Sequence, residues 1–400
     1  MRSSWFFAAI STVYAWAAGP SFSVEPLARS VASGRDPVLH VRASGAVSLL
    51  KVEGGNLWLH TSHDGGDTFE DPVRVNDVEG EVSSHGESSP RMVIRNRGEF
   101  YVAWQSRRDP ERSVLRFARS TGWGESFLKA VDVEPNSPSS QSFFTMNVAP
   151  NGYIYAAWLD GRDRGKGRPG TSAVYIARSR DKGATFDAPV RVSLDVCPCC
   201  RPEIAFSGKG AMHVAWRGVL NGNVRDIFVA TSADDGATWS SSTRVAEDQW
   251  AINGCPHSGG AMAAIGGKLF IAWYTVRDKT PHLYLASSTD GGRTFSARTE
   301  ISGDVLDANH PVLINAGERV AVVFQGRDPK QAEGWGPQQA YYREFDAEGA
   351  LCDLVTLGNA SGSVTYPAIA FEAPGRIFAA WTEPGKEEKH VVLRRIRRAN

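Results

Sequence analysis

Four cysteines and one histidine crowd two short stretches of this chain. The first reads Asp195-Val196-Cys197-Pro198-Cys199-Cys200-Arg201-Pro202-Glu203, and the second Asn253-Gly254-Cys255-Pro256-His257-Ser258. Thiolate and imidazole together suit soft or borderline metals such as copper(I) or zinc. A thiol beside a metal ion loses its proton and becomes a strong ligand. The Cys-x-Cys-Cys spacing fits no standard zinc-ribbon pattern, so a site depends on the two stretches meeting in space. Cys197, Cys199, Cys200, Cys255 and His257 are the first-choice metal ligands. His85, in Ser84-His85-Gly86-Glu87, and His310, in Asn309-His310-Pro311, are supporting ones. Copper is the first expectation and zinc the second, with redox chemistry at the thiols as a variant. The alternative is a structural disulfide, in which Cys255 pairs with Cys197, Cys199 or Cys200. Cys352 stands apart and is expected to be a free buried thiol.

What positions these residues is a repeat. The phrase Ser-x-Asp-x-Gly-x-Thr-aromatic stands at Ser62–Phe69, Ser179–Phe186, Ser232–Trp239 and Ser288–Phe295. A worn copy, Ser120–Phe127, has Gly122 in place of the aspartate. An apolar strand ending in Ala-Trp or a near equivalent precedes each turn, at Tyr101–Trp104, Tyr155–Trp158, His213–Trp216 and Phe270–Trp273. Val47–Lys51, Val322–Phe324 and Phe378–Trp381 hold the same place in the remaining units. Seven units result, roughly 50–60 residues apart, and such periods mark closed or stacked arrays. Each reads as four strands, which predicts an all-β chain folded as a single seven-bladed β-propeller over residues 19–400. The last unit lacks a fourth strand, so the segment around Leu27–Val31 is expected to supply it and close the ring.

In a four-stranded blade, the loops from strand two to three and from strand four to the next strand one share a face. The repeated turns lie on the other face. Both Cys/His stretches are four-to-one loops, so they are expected to converge on the mouth of the central channel. The two-to-three loops carry Arg108-Asp109, Arg162-Asp163, Arg277-Asp278 and Arg327-Asp328. These read as rim ion pairs, which contribute little.

The chain has 44 basic and 44 acidic residues, which offers no electrostatic reason to expect nucleic acid. No apolar run is long enough to span a bilayer. Residues 1–18 have the marks of an export signal: Arg2, an apolar stretch from Trp5 to Ala18, and a small-x-small site at Ala15-Trp16-Ala17. A periplasmic or extracellular location is therefore expected.

The repeated turn resembles that of the Asp-box (BNR) repeat proteins, the superfamily that contains the sialidases, and the likeness covers nearly all of residues 19–400. It implies that the turns join strands three and four, away from the active site. It also brings a six-bladed alternative, since sialidases have six blades. In that family, arginines clamp a substrate carboxylate and a tyrosine aided by a glutamate attacks the sugar. Gly34-Arg35-Asp36-Pro37-Val38-Leu39 keeps part of the first-arginine motif, and Thr365-Tyr366-Pro367-Ala368 places a tyrosine at the head of the last inner strand. The resemblance thus implies Arg35, Tyr366 and Glu203 as catalytic residues, with Arg91 and Arg201 at equivalent strand heads. Two functional readings follow beside the metal centre: a sialidase-like glycoside hydrolase acting on a glycan or small-molecule ligand, and a non-catalytic scaffold for a protein partner.

Overall fold

The computed structural model describes residues 21–26, 31–95, 98–208, 210–331, 336–358, 362–372 and 375–398. The expected export signal and Leu27–Ser30 lie outside them. Seven antiparallel sheets make up the fold, so the architecture is a seven-bladed β-propeller and the six-bladed alternative falls. Blade one begins at Arg35–Val41, blade two at Val82–Ser83 and Arg91–Arg95, and blade three at Gln141–Val148. Blades four to seven begin at Glu203–Ser207, Ala261–Ile265, Leu306–Asn315 and Thr365–Glu372.

The second strand of each blade is the most deeply buried. Trp104, Trp158, Trp216, Trp273 and Trp381 are almost wholly enclosed. The Ala-Trp phrase is therefore core: a small residue beside a large one lets neighbouring sheets interdigitate. The apolar clusters lie between blades, as where Leu50, Leu57 and Leu59 of blade one meet Phe100, Val102 and Trp104 of blade two.

Blade seven closes the ring with both ends of the chain. Phe22–Pro26 pairs antiparallel with Lys389–Arg398, in register from Phe22 opposite Arg398 to Pro26 opposite Arg394. Val31–Ser33 pairs further along the same strand. The closing pairs thus flank the segment from which closure was expected.

Each Asp-containing turn is bonded within itself. Asp64 accepts from the Ser62 hydroxyl (2.7 Å), the Thr68 main chain (2.9 Å) and the Thr68 hydroxyl (2.5 Å). The Ser62 hydroxyl accepts from Gly66 N–H. The same four bonds recur around Asp181, Asp234 and Asp290. The fourth residue of every copy takes a left-handed φ, whether it is Gly65, Lys182, Asp235, Gly291 or Trp123. The terminal aromatic packs between blades, as Phe69, Phe186, Trp239 and Phe295 do.

Candidate metal centre and axial cavity

Four of the seven inner strands share a defect at the end that faces the four-to-one loops. Pairing registers break between Arg35 and Val38, Ser142 and Thr145, Asn309 and Val312, and Thr365 and Ala368. At each break the second residue is left-handed: Asp36 (54°), Phe143 (49°), His310 (52°) and Tyr366 (48°). Such angles are uncommon for residues other than glycine, and strained backbone gathers where side chains must be aimed. Three of the four precede proline, in Asp36-Pro37, His310-Pro311 and Tyr366-Pro367. Proline cannot donate to a ladder and so marks where pairing stops.

The two Cys/His loops do meet. The ligand atoms of Cys197, Cys199 and Cys200 lie within 4.8 Å of one another, and so do those of Cys199, Cys255 and His257. Cys199 belongs to both groups and joins blade four's entry loop to blade five's. Cys197, Cys199 and Cys200 are buried, whereas Cys255 and His257 are exposed. The centre therefore has a dry inner half and an open outer half. All five cysteines, each among the described residues, are free thiols, so the disulfide alternative does not hold here. Cys197 Sγ and Cys199 Sγ are 3.6 Å apart. Two sulfurs held ~2.3 Å from one ion at a tetrahedral angle would stand ~3.8 Å apart, whereas a disulfide needs ~2.05 Å.

The surroundings favour one thiolate in the trio. Hydrogen bonds from Cys199 and Cys200, outweighing burial, draw the Cys197 thiol below its ordinary range, and the Arg217 and Arg225 charges add to this. The Cys199 thiol moves up as its bonding partner ionises, and burial pushes Cys200 up. The three titrate as a unit. Arg217 lies fully buried beside them and gives all its hydrogen bonds to main-chain carbonyls, those of Ser258, Arg225 and Tyr274. Its charge acts on the Cys197 and Cys200 sulfurs and also on the buried carboxylates of Asp226 and Asp248. Phe143 packs on the trio and stands between His85 (ring centroids 5.8 Å apart) and His257 (6.3 Å). His85 faces this ring and is in neither donor group.

His310 also lies apart from the sulfurs. Its Nδ1 meets Glu87 Oε1 at 3.1 Å and its ring packs at a 52° tilt against Tyr366, with centroids 4.4 Å apart. Both line a cavity of about 190 Å³ on the channel axis, with Arg91, Arg201 and Glu203. Burial would raise the Glu87 carboxyl, but the Arg201 charge, His310 and the Gly259 N–H hold it down at about 2. Burial pushes Glu203 up against the opposing Arg201 charge. Tyr366 is pushed up to about 12, by burial first and then by the Glu87 and Asp36 charges. Its hydroxyl leaves no room for a side chain on Gly86, where a Cβ would stand 2.4 Å from the oxygen.

Of the residues that the sialidase resemblance marks, Tyr366 and Glu203 share this cavity while Arg35 does not line it. Arg35 folds back onto Asp36 (2.7 Å) and the Ser84 carbonyl. Arg91 and Arg201 stand at the cavity instead, and Arg91 Nη2 and Arg201 Nε are buried without hydrogen-bond partners. Sequence reasoning missed Arg217 and the role of Glu87, whose only advance signal was its place beside His85 in a four-to-one loop. The rim arginines mostly reach other carboxylates: Arg108 to Asp132, Arg162 to Asp160 and Glu134, Arg327 to Asp307. Arg277 alone among these pairs with its neighbour, Asp278 (3.2 Å).

No protein-family model and no curated protein matches the chain. Solved structures do. A protein of unknown function from Dyadobacter fermentans is similar with a TM-score of 0.55 at 16% identity, over 80% of this chain and 97% of that one. The polysaccharide lyase Uly1 is similar with a TM-score of 0.56 at 11% identity, over 98% of this chain and 94% of that one. The Hadza microbial sialidase Hz136 is similar with a TM-score of 0.52 at 14% identity, over 88% and 76%. Identities this low carry architecture and not chemistry, and what they establish is that this chain shares its propeller fold with sialidases and polysaccharide lyases.

Proposed function

We propose that this chain is an exported propeller that binds a soft metal ion, copper(I) in first place and zinc in second, at the mouth of its channel. Cys197, Cys199, Cys200, Cys255 and His257 are its ligands. The observation that carries this reading is the convergence of two loops, remote along the chain, on the Cys199 sulfur. The buried Arg217 guanidinium lies beside them and contributes positive charge toward thiolate ligands, shared with the Asp226 and Asp248 carboxylates. The half-exposed geometry leaves a path for an ion to enter and leave. His85 and His310 drop from the ligand set, since each has a different partner. Elemental analysis of protein expressed with residues 1–18 intact tests the reading. About one ion per chain is expected, competing with a copper(I) chelator such as bathocuproine disulfonate. No stoichiometric metal under reducing conditions would end it.

A second reading, action on a glycan at the axial cavity, is favoured by one observation. Two buried guanidinium nitrogens there lack partners, and planar guanidinium suits a carboxylate. Sialidases and polysaccharide lyases with this fold supply the analogy, at the level of fold alone. Fluorogenic sialosides and the ultraviolet absorbance of unsaturated uronates test it in parallel. Turnover that survives Tyr366→Phe undiminished would dismiss the site.

A further inference from the structure

One short turn touches every blade. In Ser84–Ser88 the Ser84 hydroxyl donates to Asp36 of blade one (2.6 Å) and the Ser88 hydroxyl accepts from Phe143 N–H of blade three (3.0 Å). Gly86 lies under Tyr366 of blade seven. Glu87 reaches the remaining three. Its Oε2 accepts from Gly259 N–H (2.9 Å) and Arg201 N–H (3.2 Å), and its Oε1 meets His310 Nδ1 (3.1 Å). Arg201 directly follows Cys200, and Gly259 stands two residues after His257. One carboxylate oxygen therefore holds the exits of both donor loops. The loops are pressed together at that point, since a Cβ on Gly259 would stand 2.3 Å from the Arg201 carbonyl.

We infer that Glu87 is a positioning residue of the metal centre: by accepting N–H groups from both loops it sets the separation between the sulfurs of one and the Cys255–His257 pair of the other. This rests on the metal reading above and adds a residue that contacts no ion. Supporting groups that orient ligands typically change metal affinity 10–100-fold when removed. The role belongs to the acceptor geometry, so glutamine, whose amide oxygen still accepts both bonds, substitutes for it.

The test is a copper(I) competition titration against bathocuproine disulfonate on the full chain, with X-ray absorption to count sulfur neighbours. Glu87→Ala is expected to weaken copper(I) binding 10–100-fold and to lower the sulfur count. Glu87→Gln is expected to keep the wild-type count and most of the affinity. A residue that only stabilises the fold would lower the melting temperature of the metal-free protein without changing the sulfur count. An alanine variant with wild-type affinity and coordination overturns the inference. Should that variant fail to fold, Glu87→Asp, one methylene short of both N–H groups, is read in its place, with the same result expected and the same result overturning it. A wild type that takes up neither copper(I) nor zinc overturns the metal centre itself, and this inference with it.

Discussion

On one face of the ring, the aspartate side chain of each repeated turn bonds only within its own turn. At the opposite mouth, Glu87 bonds to three other blades and the thiols of two loops meet across a blade boundary. The first arrangement is local and repeated, with each aspartate carboxylate satisfied by its own turn. The second is long-range and occurs once. The difference teaches where to look for function in a repeat protein: in the loops whose side chains reach beyond their own unit.

The contrast can be broken at several strengths. The largest effect is expected from Cys199→Ser, which removes the sulfur common to both donor groups. Stoichiometric metal should vanish by elemental analysis, while Asp290→Ala on the other face leaves the stoichiometry intact. Metal retained by the serine variant would erase the distinction. Next, the worn turn can be repaired. Gly122 has no left-handed φ and open space around its Cβ position, so Gly122→Asp can form the missing bonds and narrow the unfolded ensemble. A gain of about 0.5–1 kcal/mol is expected in denaturant unfolding, with metal affinity unchanged. A destabilised variant would show that the aspartate is not what holds the other turns.

Acid sharpens the same point. Weak burial is outweighed by bonds from Thr185 and Ser179 at Asp181. At Asp234, bonds from Thr238 and Ser232 dominate. Both carboxyls are lowered from 3.8 to about 2. A depressed carboxyl stabilises the fold above its unfolded value, and that contribution fades as pH falls toward the folded one. The melting temperature of the wild type should therefore drop more steeply between pH 4 and 2 than that of Asp234→Asn. Parallel curves would contradict the assignment. The smallest effect belongs to the rim. Arg277→Ala, which breaks an exposed pair with Asp278, should change stability by less than about 0.5 kcal/mol, and a larger loss would give the rim a structural role.

Much of the fold was readable because its signals are contiguous. Eight residues contain a whole Asp-containing turn, and Ala-Trp or a near equivalent marks the buried second strand at each recurrence. The meeting of Cys199 with His257 was also within reach, because both loops occupy the same place in adjacent units. Glu87 was not. Its partners lie 114, 172 and 223 residues away, and no local pattern distinguishes a carboxylate that faces the axis from one on the surface. The place of Arg35 outside the axial cavity has a related reason. Its motif was legible, but the left-handed Asp36 beside it turns the chain so that the guanidinium caps its neighbour.

The seam in blade seven bears on how the molecule is made. Val24 pairs with Ile396, so a strand made before the other blades waits for one made after them. The entropy of closing so long a loop grows only slowly with its length, but pairing at that separation delays folding. Each of the other six sheets draws its strands from one continuous stretch, while the seventh joins strands from the two ends of the described chain. A circular permutant that joins Arg398 to Phe22 through a short linker and opens the ring between two other blades would turn this seam into a hairpin and should refold faster.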